Sequence, residues 1–180
     1  EVVTSTTIYI GEDGILRTHE AMNCQVLKIN NPILTNTDML KIKNLDVEGF
    51  KVAEIPITYY KNTSLEKAID YLFVEVDRAH RDGANILILT DRGVDENRVP
   101  IPSLLAVSAV HQHLVKTKKR TSLAIVLESG EPREVHHFAT LLGYGASAIN
   151  PYLALDTIHQ LIDSKMLDKD YYAAVEDYNQ

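Results

Sequence analysis

The stretch ILILT, from Ile86 to Thr90, decides the fold class. Four consecutive apolar residues, two of them β-branched, end in a threonine and then in the polar pair Asp91-Arg92, which is typical of a short strand buried on both faces. Outward along the chain, three more stretches have the same character: Ala53 to Thr58 (AEIPIT), Leu123 to Glu128 (LAIVLE) and Ala146 to Asn150 (ASAIN). The sequence therefore predicts four strands whose two faces are both covered.

Segments with helical periodicity separate these strands. In the first, apolar residues from Leu65 to Ala79 recur at three- and four-residue steps, and Thr63 with Glu66 predicts a capping box at its start. The second, about Pro102 to Lys116, is so apolar that we expect cover on more than one side, and the third should run from near Pro132 to Gly143. Links that contain a helix join parallel strands, so we predict an α/β fold with a parallel βαβαβαβ sheet.

The two ends of the chain lack this alternation. We predict an irregular amino-terminal arm (residues 1–50), an α/β core (51–163) and a carboxy-terminal tail (164–180), all in one domain. The arm offers a strand at Thr6 to Ile10, a turn at Gly11 to Gly14 and a short helix around Asp38 to Lys43. A second short helix is predicted at Asp168 to Asp177.

Composition excludes several classes of function. The formal charge of −7 would repel a phosphate backbone, and no apolar run approaches the roughly 18 residues of a membrane span, so we expect neither nucleic acid nor membrane as a partner. The single cysteine, Cys24, cannot form an internal disulfide, which favours a reducing, cytoplasmic compartment. Because the sequence begins at Glu1 rather than at a methionine, we expect it to be a piece of a longer protein.

Ligands of parallel sheets gather at the carboxyl ends of the strands. In this sequence those positions are 59–63, 91–100, 129–131 and 150–152. Asp91 beside Arg92 could orient a substrate or act as a base, but an ion pair that holds the loop is the more frequent role. Glu131 is expected at the start of its own helix, where the helix dipole favours a negative charge.

Templates for metal and cofactor sites are not matched. The histidine pairs, His111 with His113 and His136 with His137, have spacings that do not place two ligands on one helix face. Three segments, 77–80, 134–137 and 156–159, have a carboxylate three residues before a histidine. A metal site built from them would need the facing helices of a bundle rather than helices on a sheet. The sequence also lacks a phosphate-loop motif and a nucleophile elbow, so we predict no metal site and no cofactor site.

Several stretches of the sequence are distinctive beyond these templates, namely Ile101 to His111 (IPSLLAVSAVH), Glu128 to Ala139 (ESGEPREVHHFA), Gly143 to Ala146 (GYGA) and Ile149 to Ala154 (INPYLA). These stretches resemble the central region of glutamate synthase large chains. Asn31 to Asn36 and Leu89 to Arg92 also resemble that family. The resemblance extends over most of Pro32 to Leu155, with Ser129 and Pro132 as mild departures.

The resemblance implies part of a multidomain oxidoreductase that makes two glutamates from glutamine and 2-oxoglutarate. In that family an amidotransferase domain releases ammonia, a central domain connects it to an FMN-binding barrel, and the ammonia travels through an internal tunnel. An iron–sulfur cluster and FMN carry the electrons. The central domain is similar to an incomplete TIM-like barrel, and its partners would be the amidotransferase and FMN-binding domains of the same parent chain.

The groups that perform this chemistry are missing from the sequence, which has no cysteine cluster and no glycine-rich FMN loop. We therefore predict that the chain has no catalytic residue and is inactive alone. The resemblance makes six residues candidates for interdomain or tunnel contacts: Asp91, Arg92, Glu128, Arg133, Asn150 and Tyr152. Two alternatives stay open, namely an autonomous half-barrel enzyme or flavin- or phosphate-binding module, and a homo-oligomer in which a second copy covers the apolar second helix.

Overall fold

A computed structural model describes residues 6–11 and 26–179 of the protein. In chain order its elements are β1 (Ile8–Gly11), β2 (Val26–Ile29), α1 (Asn36–Lys43), β3 (Val52–Pro56), β4 (Thr58–Tyr60), α2 (Leu65–Arg81), β5 (Ile86–Thr90), β6 (Arg98–Pro100), α3 (Ser103–Lys116), a 3₁₀ turn (Arg120–Ser122), β7 (Ala124–Glu128), α4 (Val135–Gly143), β8 (Ala148–Asn150), α5 (Tyr152–Asp163) and α6 (Tyr171–Asn179).

A four-stranded parallel sheet forms the centre of the molecule. Its strands lie in the order β3-β5-β7-β8, so each strand pairs with the strand of this sheet that follows it in the sequence. Strands that follow one another in this way are typical of β/α-barrels rather than of doubly wound sheets. The predicted α/β architecture is confirmed, and the sheet of the described residues is open rather than closed into a barrel.

One face of the sheet packs on α2, α3 and α4. Leu87 and Leu89 of β5 point into this core, and Val76 of α2 and Val110 of α3 meet them there, all without solvent exposure. The expected cover of the apolar helix α3 comes from α2 and α4 on its flanks. Its Leu104 and Val115 remain exposed, at 37% and 48%.

The arm covers the opposite face. Because side chains alternate along a strand, Ile86 and Ile88 of β5 face away from the first core. They pack instead against Ile10 of the β1–β2 hairpin and Met39 of α1, among other arm residues. The strand and helix predicted in the arm are confirmed, while most of the predicted turn at Gly11 to Gly14 lies outside the described residues.

The arm also extends the sheet. Ile33 forms a parallel bridge with Ile149, with hydrogen bonds from the Leu34 amide to the Ile149 carbonyl (2.7 Å) and from the Ile149 amide to the Pro32 carbonyl (2.8 Å). This segment holds the carboxyl edge of β8 next to the start of α1.

Several predicted boundaries were wrong. The strand predicted over Ala53 to Thr58 ends at Pro56 as β3, and Thr58 begins β4, which pairs antiparallel with β6 in a separate sheet. The cap of α2 is Ser64, whose hydroxyl accepts from the Lys67 amide, rather than Thr63. Helix α4 begins at Val135 instead of near Pro132, and β8 begins at Ala148, two residues later than predicted. No described helix has the length and apolarity that crossing a membrane would require.

Candidate functional site

The carboxyl ends of β5 and β7 carry a buried polar cluster centred on Glu128. The Glu128 side chain is only 4% exposed, and it accepts hydrogen bonds from Lys43 Nζ (2.8 Å), Thr90 Oγ1 (2.7 Å) and Arg92 Nε (2.8 Å). Lys43 also pairs with the half-exposed Glu54 at 3.1 Å. The buried charge is thus matched by two cations and a hydroxyl, as a buried carboxylate requires.

These contacts fix the ionisation of the cluster. Burial alone would raise the pKa of Glu128, but the hydrogen bonds from Lys43, Thr90 and Arg92 outweigh it and hold that pKa below its usual value. Burial would likewise lower the pKa of Lys43, but the hydrogen bonds and charges of Glu128 and Glu54 together outweigh this effect, so the pKa of Lys43 is raised. The pair therefore stays charged around neutral pH.

Asp91 lies next to this cluster and has different partners. It accepts hydrogen bonds from Ser129 Oγ (2.6 Å), the Gly130 amide (3.0 Å) and Tyr152 Oη (2.8 Å). The expected ion pair between Asp91 and Arg92 is wrong, because Arg92 pairs with Glu128 instead. Burial and the contact with Asp91 raise the pKa of Tyr152 to about 12, so its hydroxyl remains a donor at neutral pH.

Arg92 and Tyr152 form the exposed surface of the cluster. The Arg92 guanidinium lies over the Tyr152 ring, 3.9 Å from its centroid, in cation–π geometry. Its side chain is half exposed, and its terminal Nη atoms hydrogen-bond to nothing within residues 6–11 and 26–179. One edge of the guanidinium is therefore held in place by protein and the other faces outward.

Asn150 connects the cluster to the arm. It is completely buried, and its Nδ2 donates to the Leu34 carbonyl and to Asn36 Oδ1, both at 3.0 Å. Those two acceptors fix the orientation of the amide, since a flipped amide would bring its oxygen against two oxygens. Asn150 Oδ1 has no donor in the described part of the chain.

Five of the six predicted contact residues thus meet at one edge of the sheet, and Arg133 does not join them. Its backbone amide donates to His137 Nδ1 and its carbonyl accepts from Tyr178 Oη. Glu131 also differs from expectation, because its carboxylate accepts from the amide and the hydroxyl of Ser103 (2.8 and 2.5 Å) and so caps α3 instead of its own helix.

Lys43 is the main residue that the sequence reasoning missed. It belongs to the last turn of α1, 85 residues before Glu128, and nothing in the local pattern distinguishes it from the other lysines of the arm. Thr90 ends β5, and its hydroxyl shares a face with Glu128 because the two are register partners on neighbouring parallel strands. Alternation along each strand does not determine this register.

The cluster has the chemistry of a structural network. Each carboxylate is surrounded by donors supplied by the protein itself, and the adjoining cleft between α1 and the sheet edge encloses only about 180 Å³. Within the described residues no three histidine, cysteine or acidic side chains converge as metal ligands would. A general acid or base needs a pKa near the working pH, and the lowered pKa of Glu128 is the opposite of that arrangement.

Comparison with known protein families gives a match over nearly the whole chain. The family described as "Glutamate synthase central domain" matches residues 1–179, which is nearly the whole chain. The chain belongs to this family. The resemblance found in the motif stretches is therefore confirmed.

The relatives of this central domain are much longer proteins. A glutamate synthase (NADPH) large chain of Bacillus subtilis is 41% identical over 180 residues, which are 100% of this chain and 12% of the relative. A glutamate synthase (NADH) of Schizosaccharomyces pombe is 41% identical over 166 residues, covering 89% of this chain and 8% of the relative. A ferredoxin-dependent glutamate synthase 2 of Synechocystis is 34% identical over 195 residues, covering 99% and 12%. The central domain spans about a tenth of the length of these relatives.

Proposed function

We propose that this central domain is a connecting module of a cytoplasmic glutamate synthase, an oxidoreductase of glutamate biosynthesis, and that it has no catalytic centre of its own. The chemistry would belong to amidotransferase and FMN-binding domains of the same parent chain, which would use FMN and an iron–sulfur cluster. The observation that supports the proposal is that the carboxylates of the cluster centred on Glu128 already have hydrogen-bond donors from within the domain. At the edge where an enzyme of this architecture would present reactive groups, Glu128 and Asp91 are occupied by internal donors.

The same cluster supports a role in holding the ammonia tunnel. A wall that passes neutral ammonia has to keep its shape and exclude water, and a network whose buried carboxylates are all hydrogen-bonded is stiff in this sense. The candidate wall and domain contacts are Asp91, Arg92, Glu128, Arg133, Asn150 and Tyr152. We propose that this edge contributes a rigid boundary to the tunnel, with Asn150 Oδ1 as an unused acceptor within it.

Titration with FMN distinguishes the connector from an autonomous flavin module. The folded chain, verified by circular dichroism, is mixed with increasing FMN and the flavin fluorescence is recorded. A connector leaves the fluorescence unchanged. Saturable quenching would contradict the proposal and would direct attention to the loops after β5 and β8 as a phosphate site.

Ammonia leakage tests the tunnel contribution. In the glutamate synthase that contains this domain, free ammonia released per glutamine consumed is measured for the wild type and for Glu128→Gln, which preserves size and removes the charge. The variant should release more free ammonia, because the loosened edge admits water. The matched control is Glu75→Gln, which removes an exposed ion pair with Arg78 on α2 and should not change the ratio. Equal ratios in all three proteins would remove the tunnel from the proposal.

A further inference from the structure

A cleft of about 580 Å³ lies between the start of α1 and one face of α6. One wall belongs to the segment at 31–38, and the other belongs to residues of α6 between Tyr171 and Asn179 that recur at helical spacing. Its volume falls in the range of small-molecule sites, which are concave and combine apolar or aromatic walls with a few polar groups. We call it the α1–α6 cleft.

The charge of the α1–α6 cleft is negative. Asp38 and Glu176 line it, and no lysine, arginine or histidine of the described residues does. Asp156 adds a carboxylate next to it, since it accepts a hydrogen bond from Asn36 Nδ2 (3.3 Å). Lys41 offsets little of this charge, because it lies 3.7 Å from Asp38 and its side chain is 73% exposed. The Glu176 carboxylate has no partner within residues 6–11 and 26–179.

Two tyrosines form an aromatic wall in the cleft. Tyr171 and Tyr172 lie edge to face with ring centroids 5.7 Å apart, and Tyr172 is 79% exposed. The face of a tyrosine ring attracts cations. His159 contacts the Tyr171 ring from outside the cleft, and its Nδ1 lies 2.9 Å from Asp163, so a proton on this histidine would be matched. Burial and the charge of Asp156 raise the pKa of Tyr171, which agrees with a negative potential here.

A buried acceptor without a donor lies in the same cleft. Asn179 lines it, and Asn179 Oδ1 is buried with no hydrogen-bond partner in the part of the chain that the structure describes. The Asn179 carbonyl is already used, since it accepts from Asn31 Nδ2 (3.1 Å). A buried oxygen in this state is costly, and an N–H group supplied by a ligand would remove that cost.

We propose that the α1–α6 cleft binds a small organic cation, namely the ammonium group of an aliphatic primary amine. The ammonium would donate to Glu176 and to Asn179 Oδ1, and the alkyl chain would pack on Tyr172 and Val175. A metal ion is a poorer match, because within the described residues no three histidine, cysteine or acidic side chains converge. This site goes beyond the connecting role and does not depend on it.

Titrations with matched ligands test the site by nuclear magnetic resonance. The isotopically labelled chain, verified as folded by circular dichroism, is titrated with n-butylammonium chloride, with n-butanol and with potassium chloride at the same ionic strength. Butylammonium should shift the amide signals of residues 35–38 and 171–179 until they saturate. Butanol has the same size without the charge, so its affinity should be about tenfold lower or less, and potassium should leave the signals unchanged.

Three exposed side chains of α6 supply the variants, so each variant should fold. Glu176→Gln should weaken butylammonium binding at least about threefold, and Tyr172→Leu should weaken it about two- to fivefold. The matched control is Asp177→Asn, which removes the same charge from the next residue. Asp177 lies outside the lining of the cleft and pairs with Lys169, so this change should alter the affinity less than about 1.5-fold.

Each contrary result overturns a definite part of the proposal. The absence of saturable shifts would overturn the site itself. Equal affinities for butanol and butylammonium would overturn recognition by charge, and equal shifts with potassium would show an adventitious ion only. Equal weakening by Glu176→Gln and Asp177→Asn would also overturn it, because the effect would then follow the net charge of α6 rather than contacts in the cleft.

Discussion

Replacing Glu128 by glutamine should lower the free energy of unfolding by about 3 kcal/mol. The amide oxygen can still accept from Lys43 and Thr90, but the amide nitrogen then faces Arg92 Nε, donor against donor, at a position that is only 4% exposed. One charge-assisted hydrogen bond is lost and another is weakened, and such bonds contribute about 1.5–3 kcal/mol each. For a chain of this size the melting temperature should fall by about 6–12 °C.

Urea denaturation followed by circular dichroism measures this loss, with Glu75→Gln as the control. Glu75 forms an exposed ion pair with Arg78, so its replacement should cost less than about 0.5 kcal/mol. The pH dependence gives a second check. Because the pKa of Glu128 is lowered in the folded state, its contribution is complete above its ordinary value of 4.5 and is lost as the pH falls through the folded value. A loss below about 1 kcal/mol at pH 7, or a gap between wild type and variant that does not narrow in acid, would refute this account of the cluster.

Three further predictions concern the opposite end of the sheet and the start of α3. Gly145 has φ +117°, and a Cβ there would lie 2.4 Å from His111 Nδ1, so Gly145→Ala should lower the free energy of unfolding by more than about 2 kcal/mol. The control is Gly143→Ala, which has open space around it and should change that free energy by less than about 1 kcal/mol. Urea denaturation measures both. Burial and the nearby Arg120 guanidinium lower the pKa of His111 in the folded state, so on acidification the unfolded state binds the proton first and stability should fall as the pH drops below 6.5. Urea midpoints measured from pH 8 to 5 should show this fall. In His111→Gln the midpoint should depend less on pH. Glu131→Ala removes the cap of α3 and should cost about 1–2 kcal/mol by thermal melting, while Glu134→Ala, which removes no cap hydrogen bond, should leave the melting temperature almost unchanged.

Local patterns in the sequence predicted the core of the fold. The apolar run at Ile86–Thr90 became β5 without any change of boundary, because a short run between a helix and a polar loop has few alternatives. The helix predicted from the periodicity of Leu65 to Ala79 is confirmed as α2, although its N-cap is Ser64, one residue later than predicted. The predicted start of a helix shifted where two residues a few positions apart could each begin it, as at Pro132 and Val135 for α4.

The position of the candidate site was predictable from the sequence, but the hydrogen-bond and ion-pair partners of its residues were not. Asp91 and Arg92 are neighbours in the chain, but successive residues at a strand end point in different directions, so Asp91 turns to Ser129 and Arg92 to Glu128. The contribution of Lys43 depends on how the arm folds back over the sheet. That arrangement is set by contacts between distant segments, which local propensity does not encode.

The contact between the arm and the end of the sheet has a consequence for synthesis on the ribosome. Leu34 receives its hydrogen bond from Asn150, 116 residues later, so the arm leaves the ribosome long before the strand that secures it. At about 5–20 residues per second, that interval lasts about 6–23 s. Met39 and Ile42 gain their packing partners Ile86 and Ile88 part-way through this interval, when β5 has been translated. This early segment of the domain is therefore fixed in place only after β8 has been translated.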